Sequence, residues 1–253
     1  MASCVQSYKK NTAKKIVRSA NIDQQANIDL VKTTFLPGWL TDAERVQCVQ
    51  RAFAGNWNLI VKPNACGSSF GVSRITNEGD LLKAINNARL FDSDILVEEY
   101  VEAVELFIGV MGRQPNLIVA PPVVDAPSRV GLYTYFDKYI SETYTSQCPS
   151  GLSEEVEQRA REIAWRVYTE LGCDSYARVD LFYEKGSGKL YFNELNSPPA
   201  LSPDCAFPLG MARLGYPYKE LITRLIDYAH QDYYETKRIM PGRLMQGYSG
   251  KFP

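Results

Sequence analysis

The chain holds a single histidine, His230, inside "DYAHQDYY". That stretch reads as one face of a C-terminal helix, so no imidazole is available for a Ser–His or Cys–His mechanism. Six cysteines (Cys4, Cys48, Cys66, Cys148, Cys173 and Cys205) are scattered and form no CxxC pair. Their spacing argues against structural zinc and against a disulfide framework. No apolar run reaches the roughly 20 residues of a membrane span. The opening "MASCVQSYKKNTAKK" has no apolar signal core, so a cytoplasmic location with no membrane partner is expected. Neither sign of charge is in surplus: 28 Lys+Arg against 29 Asp+Glu leaves −1. A dedicated nucleic-acid binder carries a basic excess, so no nucleic-acid partner is expected. A small anion, by contrast, needs only a local positive site.

What is present is a mixed α+β pattern in one large domain or two small ones. Residues 10–20 read as a basic helix, and 40–53 as an amphipathic helix with Thr41 as N-cap. "WNLIVKP" reads as a strand stopped by Pro63, and "NACGSSFGV" as a loop of small residues. Leu81, Leu82, Ile85 and Leu90 give 78–91 a helical period. "DILVEEYV" and "ELFIGVMG" read as strands around a short turn, and "NLIVAPPVVD" as one more strand. Residues 126–150 show no period and are a candidate active-site loop. The clearest helix is 153–172, with Ser153 as its cap, Glu154 and Glu155 at its positive end and Gly172 at its stop. "YARVDLFYE" and "KLYFNELN" are strands joined by "KGSG", and 216–237 is the last helix.

Three constellations carry chemistry. In a strand, residues two apart share a face. Arg178 and Asp180 form one such pair, and Glu194 and Asn196 another. An odd number of residues in the hairpin loop would set Asp180 opposite Glu194, gathering hard oxygen ligands of the kind Mg²⁺ takes. The plainer reading is a solvated salt bridge on a strand face. In "IVKPNACGSSFGVSRI", a strand delivers Lys62 to a loop containing Gly67, Ser68, Ser69 and Gly71. Small residues let backbone N–H groups approach an anion, although the loop is not a Walker A motif and also fits an ordinary flexible turn. In "ILVEEYVEAVELFIGV", Glu98 ends an apolar strand and Glu105 begins the next. An acidic side chain beside an open strand edge can read an adenine amino edge, or simply lie on the surface.

Taken in order, Lys62, "GSSFGV", "VEEYVEAVEL", "YTYFDKY", "ARVD" and "FNELN" followed by proline resemble the ATP-grasp superfamily, most closely the D-alanine–D-alanine ligase family. The similarity spans roughly residues 8–228. It implies an ATP-grasp fold, with two α/β subdomains holding nucleotide between antiparallel sheets. These would be a small subdomain over 1–102, with the lysine strand and phosphate-covering loop, and a large subdomain over 103–253 with the metal hairpin. It implies that Lys10 (or Lys9 in its place) and Lys62 contact phosphates, and that Ser68 and Ser69 cover them. It implies that Glu98 and the Val101 backbone meet the adenine edge, and that Glu105 holds the ribose hydroxyls. Lys138 would sit on the closing loop, and Arg178 would hold the transferring phosphoryl group. Asp180, Glu194 and Asn196 would ligate two Mg²⁺ ions, with Mn²⁺ as a substitute. The implied reaction is ATP-dependent amide formation from amino-acid-like substrates through an acyl phosphate, with Arg178, Lys138 and Ser69 as catalytic groups.

The chain also departs from that pattern. Ala200 stands where the family has a glycine, and Cys205 where it has the serine that holds the second D-alanine carboxylate. A thiol is a weak donor, which points to a different substrate. Ala103 replaces a glycine, and Asn193 replaces an apolar residue near the adenine. The family carries a further α/β domain before the segment matched by Lys10. A separate N-terminal domain partner, a shortened gene product, or an ATP-binding remnant without ligase activity are the alternatives this raises, beside a homodimer.

Overall fold

The computed structural model describes residues 9–24, 28–126 and 145–239. Two antiparallel sheets organise them. The first runs β1 (Thr33–Leu36), β4 (Ile95–Glu99), β2 (Leu59–Pro63), β3 (Ser73–Ile75) in spatial order. The second runs β10 (Lys189–Asn196), β9 (Tyr176–Glu184), β5 (Val104–Met111), β7 (Val123–Ala126), β8 (Thr145–Gln147), with β6 (Ile118–Val119) also pairing with β5. This is a mixed architecture of helices and antiparallel sheets.

Helices α2 (Asp42–Phe53) and α3 (Leu81–Arg89) cover one face of the first sheet, closing a core of Leu36, Val49, Phe53, Leu59, Ile85 and Val97. Thr41 makes a full capping box at the start of α2: its side chain accepts from the Glu44 N–H, and the Glu44 carboxylate accepts from the Thr41 N–H. The second sheet is buried on both faces. Leu106, Ile108 and Val110 of β5 face α4 (Glu154–Glu170), while Met111 faces α5 (Ala206–Arg213) and α6 (Tyr218–Ile239). That two-sided burial explains why β5 reads as a continuous apolar run. Gly109 gives the Phe207 ring room to pack there, since a Cβ would come 3.0 Å from it. Ser153 caps α4 by accepting from the Val156 N–H, and Gly172 beyond its end has φ +66°.

Helix α1 (Lys10–Gln24) precedes the first sheet in the chain yet packs on the second. Ala13 and Val17, one turn apart, join Phe192 and Leu195 of β10. Its N-terminus is capped from a distance. The Lys10 N–H donates to the Asn64 backbone carbonyl, and the Asn11 N–H to Asn64 Oδ1. Asn64 immediately follows β2, so α1 is tied to both sheets.

Several elements differ from the sequence expectations. The stretches 94–101 and 105–112 are not a hairpin, because β4 and β5 lie in different sheets. The strand expected over 116–125 divides into β6 and β7, since Pro121 and Pro122 interrupt it and cannot donate to a ladder. Strands β1 and β3 and helix α5 are additions, none of them longer than eight residues. Among the described residues no helix is long and apolar enough to cross a membrane.

Candidate active site

The hairpin β9–β10 builds the centre. Its connection has four residues, 185–188, and Lys189 pairs with Glu184. That register continues through Phe192 opposite Leu181. Unbroken, it would set Asn193 opposite Asp180 and turn Glu194 toward the core. A β-bulge between Phe192 and Glu194 takes up one residue, so Glu194 pairs with Asp180 and Asn196 with Arg178. The sequence expectation of an odd loop is therefore replaced by an even loop plus a bulge. The core side is undisturbed: Phe192 and Leu195 both stay buried with Val179 and Leu181. Arg178, Asp180, Glu194 and Asn196 share the opposite face.

On that face the Arg178 guanidinium grips Asp180 through two parallel bonds, Nε to Oδ1 and Nη2 to Oδ2, each 2.7 Å. It also lies 4.8 Å from the centre of the Phe107 ring. Asn196 Nδ2 donates to Asp180 Oδ2 at 2.9 Å and reaches Glu194 Oε1 at 3.5 Å. The donor set is two carboxylates and an amide. Among the described residues no three His, Cys, Asp or Glu side chains gather as a metal cage. A hard cation that takes one or two carboxylates and fills its shell with water and substrate oxygens fits this set. A turn of the Asn196 amide would bring its oxygen to the same point.

Cations arrive from the other elements. Lys10 and Lys14, one helical turn apart on α1, face the site together. Lys10 Nζ lies 3.1 Å from Glu194 Oε2 and also donates to the Cys66 carbonyl in the loop after β2. Lys14 Nζ is 2.7 Å from Glu98 Oε1, and Lys62 Nζ is 2.7 Å from Glu98 Oε2. Lys62 further donates to Asn193 Oδ1 at 3.2 Å, joining the first sheet to the bulge of the second. Lys14 and Glu98 are each 2% exposed, Asp180 5% and Lys62 7%. Four cations thus meet three carboxylates in direct ion pairs, and the charges of Glu105 and Asp125 also act there.

These contacts set the proton affinities. Burial alone would raise the Glu98 carboxyl, but Lys14 and Lys62 hold it at about 2. Burial would raise Glu194 too, and Lys10, Lys62 and Arg178 hold it at about 2. Burial raises Asp180 to about 6; Arg178 opposes that rise, and the nearby Glu194 and Glu105 carboxylates add to it. Burial works against the Arg178 charge, yet Asp180 and Glu194 raise its pKa above the ordinary value. Burial lowers Lys14 to about 8, with Glu98 opposing the drop.

The glycine–serine loop is tightly wound. Ser68 and Ser69 have φ 55° and 57°, in the left-handed region that non-glycine residues seldom enter. Gly71 follows at φ +70°, packed so closely that a Cβ would lie 2.6 Å from the Phe91 ring. Phe70 stacks on Phe91 at 5.5 Å, and the Ala65 N–H donates to Asp92 Oδ2 at 2.7 Å, so both ends of the loop are fixed to the turn after α3.

Of the remaining expected residues, Glu105 sits on β5 opposite Phe182, near enough to Asp180 for its charge to act there. Val101 lies in the short connection between β4 and β5. Cys205 is the N-cap of α5 without a side-chain capping bond, and its thiol feels the charges of Arg178 and Asp125. Ala200 is exposed on the segment leading to it. Lys138 lies outside the described residues. Three residues near the site were missed from sequence: Lys14, Asn193 as a partner of Lys62, and Asp125, whose charge reaches Arg178. The signal for Lys14 was its i,i+4 spacing from Lys10, and for Asp125 its place at the end of an apolar strand.

A family model described as "D-ala D-ala ligase C-terminus" matches residues 16–227. The D-alanine–D-alanine ligase of Caldicellulosiruptor bescii is 35% identical over 184 residues, covering 73% of this chain and 50% of that protein. The D-alanine–D-alanine ligase of Chlorobaculum tepidum is 35% identical over 171 residues, covering 68% and 46%. Among solved structures, the VanG D-Ala:D-Ser ligase of Enterococcus faecalis superposes with a TM-score of 0.74 at 28% identity, over 88% of this chain and 62% of that one. The D-alanine–D-alanine ligase of Coxiella burnetii shares the fold, with a TM-score of 0.77 at 22% identity over 98% and 65%. The chain spans about half the length of the curated relatives it matches.

Proposed function

Because the chain belongs to the D-alanine–D-alanine ligase C-terminal family, we propose that it is the nucleotide-handling part of an ATP-dependent ligase joining a carboxylate to an amine. The observation that carries this reading is the bulged hairpin. It gathers Arg178, Asp180, Glu194 and Asn196 on one face and meets Lys10 and Lys62 there.

Lys10 and Lys62 hold the phosphates of ATP. The tight turn at Ser68 and Ser69 covers them, and Glu105 takes the ribose hydroxyls. Asp180, Glu194 and Asn196 would hold magnesium, whose use with ATP is typical of this family; when bound it would supply positive charge against the phosphates. Arg178, fixed by its fork on Asp180, supplies positive charge for the phosphoryl group that a substrate carboxylate takes from ATP, and for the oxyanion that forms when the amine attacks the resulting acyl phosphate. No protonic base on the histidine is required. Lys10 and Arg178 satisfy the carboxylates of the site.

The acceptor differs from D-alanine in this reading. The thiol of Cys205 is a weak donor at the N-cap of α5, raised above its ordinary pKa by burial and by Asp204, so it stays protonated. The test is phosphate release from ATP and Mg²⁺ with mixtures of D- and L-amino acids and hydroxy acids. Turnover with any pair, abolished by Glu194→Gln, supports the ligase. Nucleotide binding without phosphate release from any mixture leaves a non-catalytic ATP-binding module in its place.

A further inference from the structure

We propose that Asn193 is a positioning residue that aims the Lys62 ammonium at the nucleotide phosphates; this rests on the reading of Lys62 as a phosphate contact. Asn193 is the extra residue of the β10 bulge. Its presence is not needed to pair Glu194 with Asp180. With Asn193 removed, Phe192 would still face Leu181, the next residue would be Glu194 opposite Asp180, and alternation would keep Phe192 and Leu195 in the core. What the residue contributes is a side chain aimed out of the ladder, as bulges beside active sites do. That side chain accepts from Lys62 Nζ at 3.2 Å.

The chemistry of the acceptor suits the task. Glu98 Oε2, 2.7 Å away, draws the Lys62 ammonium back into the first sheet. Lys14 on Glu98 Oε1, at 2.7 Å, shares that carboxylate's charge, so Lys62 is not fully neutralised. Glu194 also acts on Lys62 through its charge, and a further carboxylate at the Asn193 position would add to that neutralisation. A neutral amide oxygen directs one N–H of the ammonium toward the second sheet and leaves the charge for an anion. Because Asn193 directly precedes Glu194, the same bond fixes the lysine strand against the hairpin that holds the carboxylates. An apolar residue in the bulge would give neither effect.

The experiment is a double-mutant cycle read by calorimetric titration of a non-hydrolysable ATP analogue with Mg²⁺ into wild type, Asn193→Ala, Lys62→Met and the double variant, with thermal melts of each. The proposal expects Asn193→Ala to weaken binding about tenfold and to add less than about a further twofold in the Lys62→Met background. Asn193→Ser keeps a polar residue in the bulge but is too short to reach Lys62, so it should behave as Asn193→Ala does; it also serves if the alanine variant folds poorly. Wild-type affinity in both variants, or the same loss with and without Lys62, overturns the proposal and assigns Asn193 a merely structural part. Failure of the wild type itself to bind the analogue would instead remove the nucleotide reading on which the proposal stands.

Discussion

Replacing Glu98 by Gln would strip the charge that holds two buried ammonium groups. The carboxylate is 2% exposed and lies 2.7 Å from both Lys14 and Lys62. At an effective dielectric of about 20, unit charges at that 2.7 Å separation attract by about 6 kcal/mol each. Most of that attraction is offset by the cost of desolvating the three charges. The loss on substitution is larger than the pair's net worth, because Lys14, 2% exposed, is left without its paired carboxylate. Breaking such a buried pair costs about 3–5 kcal/mol. Urea unfolding of wild type and Glu98→Gln, followed by circular dichroism, measures it. The double variant Lys14→Met/Glu98→Gln removes the orphaned ammonium as well and should recover roughly half of the loss. A Glu98→Gln chain within about 0.5 kcal/mol of wild type, or a double variant less stable than the single one, would refute the burial argument.

Acid should expose the same cluster. Glu98 sits at about 2 when folded against an ordinary 4.5. The unfolded chain therefore binds the proton more readily, so the contribution is complete above 4.5 and is lost as pH falls toward 2, amounting to about 3 kcal/mol; melts of wild type and Glu98→Gln across that window should converge. Gly71→Ala combines φ +70° with a Cβ 2.6 Å from the Phe91 ring and should cost about 1–3 kcal/mol in a thermal melt. It should also weaken nucleotide binding, because the Ser68–Ser69 turn shifts. Arg178→Lys keeps the charge but loses the two-bond fork on Asp180, so steady-state turnover should drop about 100-fold while the melt moves little.

The local features of the chain were legible because their causes are local. Thr41 with Glu44 three residues on spells a capping box, and the structure contains one. Ser153, the acidic first turn and Gly172 bracket a helix that forms between them. The two strands of the hairpin fall on the residues their alternation indicates. Even the bulge has a trace, since Asn193 and Glu194 stand together between the apolar Phe192 and Leu195 and break the period of two. What could not be read was set by distant partners. Lys14 looks like any lysine of a basic helix until Glu98 meets it from the first sheet. Asn64 looks like a turn residue, yet it is the cap of α1. Strand β1 has only four residues and gains its identity from pairing with β4. Helix α5 lies among prolines that read as loop, and it tolerates Pro208 because the first turn of a helix needs no N–H there.

The reading stands on Asp180 and Glu194, opposite each other across the hairpin, holding a divalent cation together with ATP phosphates. Manganese in place of magnesium makes this visible by electron paramagnetic resonance. Titrating Mn²⁺ into the chain with a non-hydrolysable ATP analogue should deplete the free-ion signal, while Asp180→Asn and Glu194→Gln chains with intact melts should leave it free. Equal depletion by wild type and both variants would contradict the account.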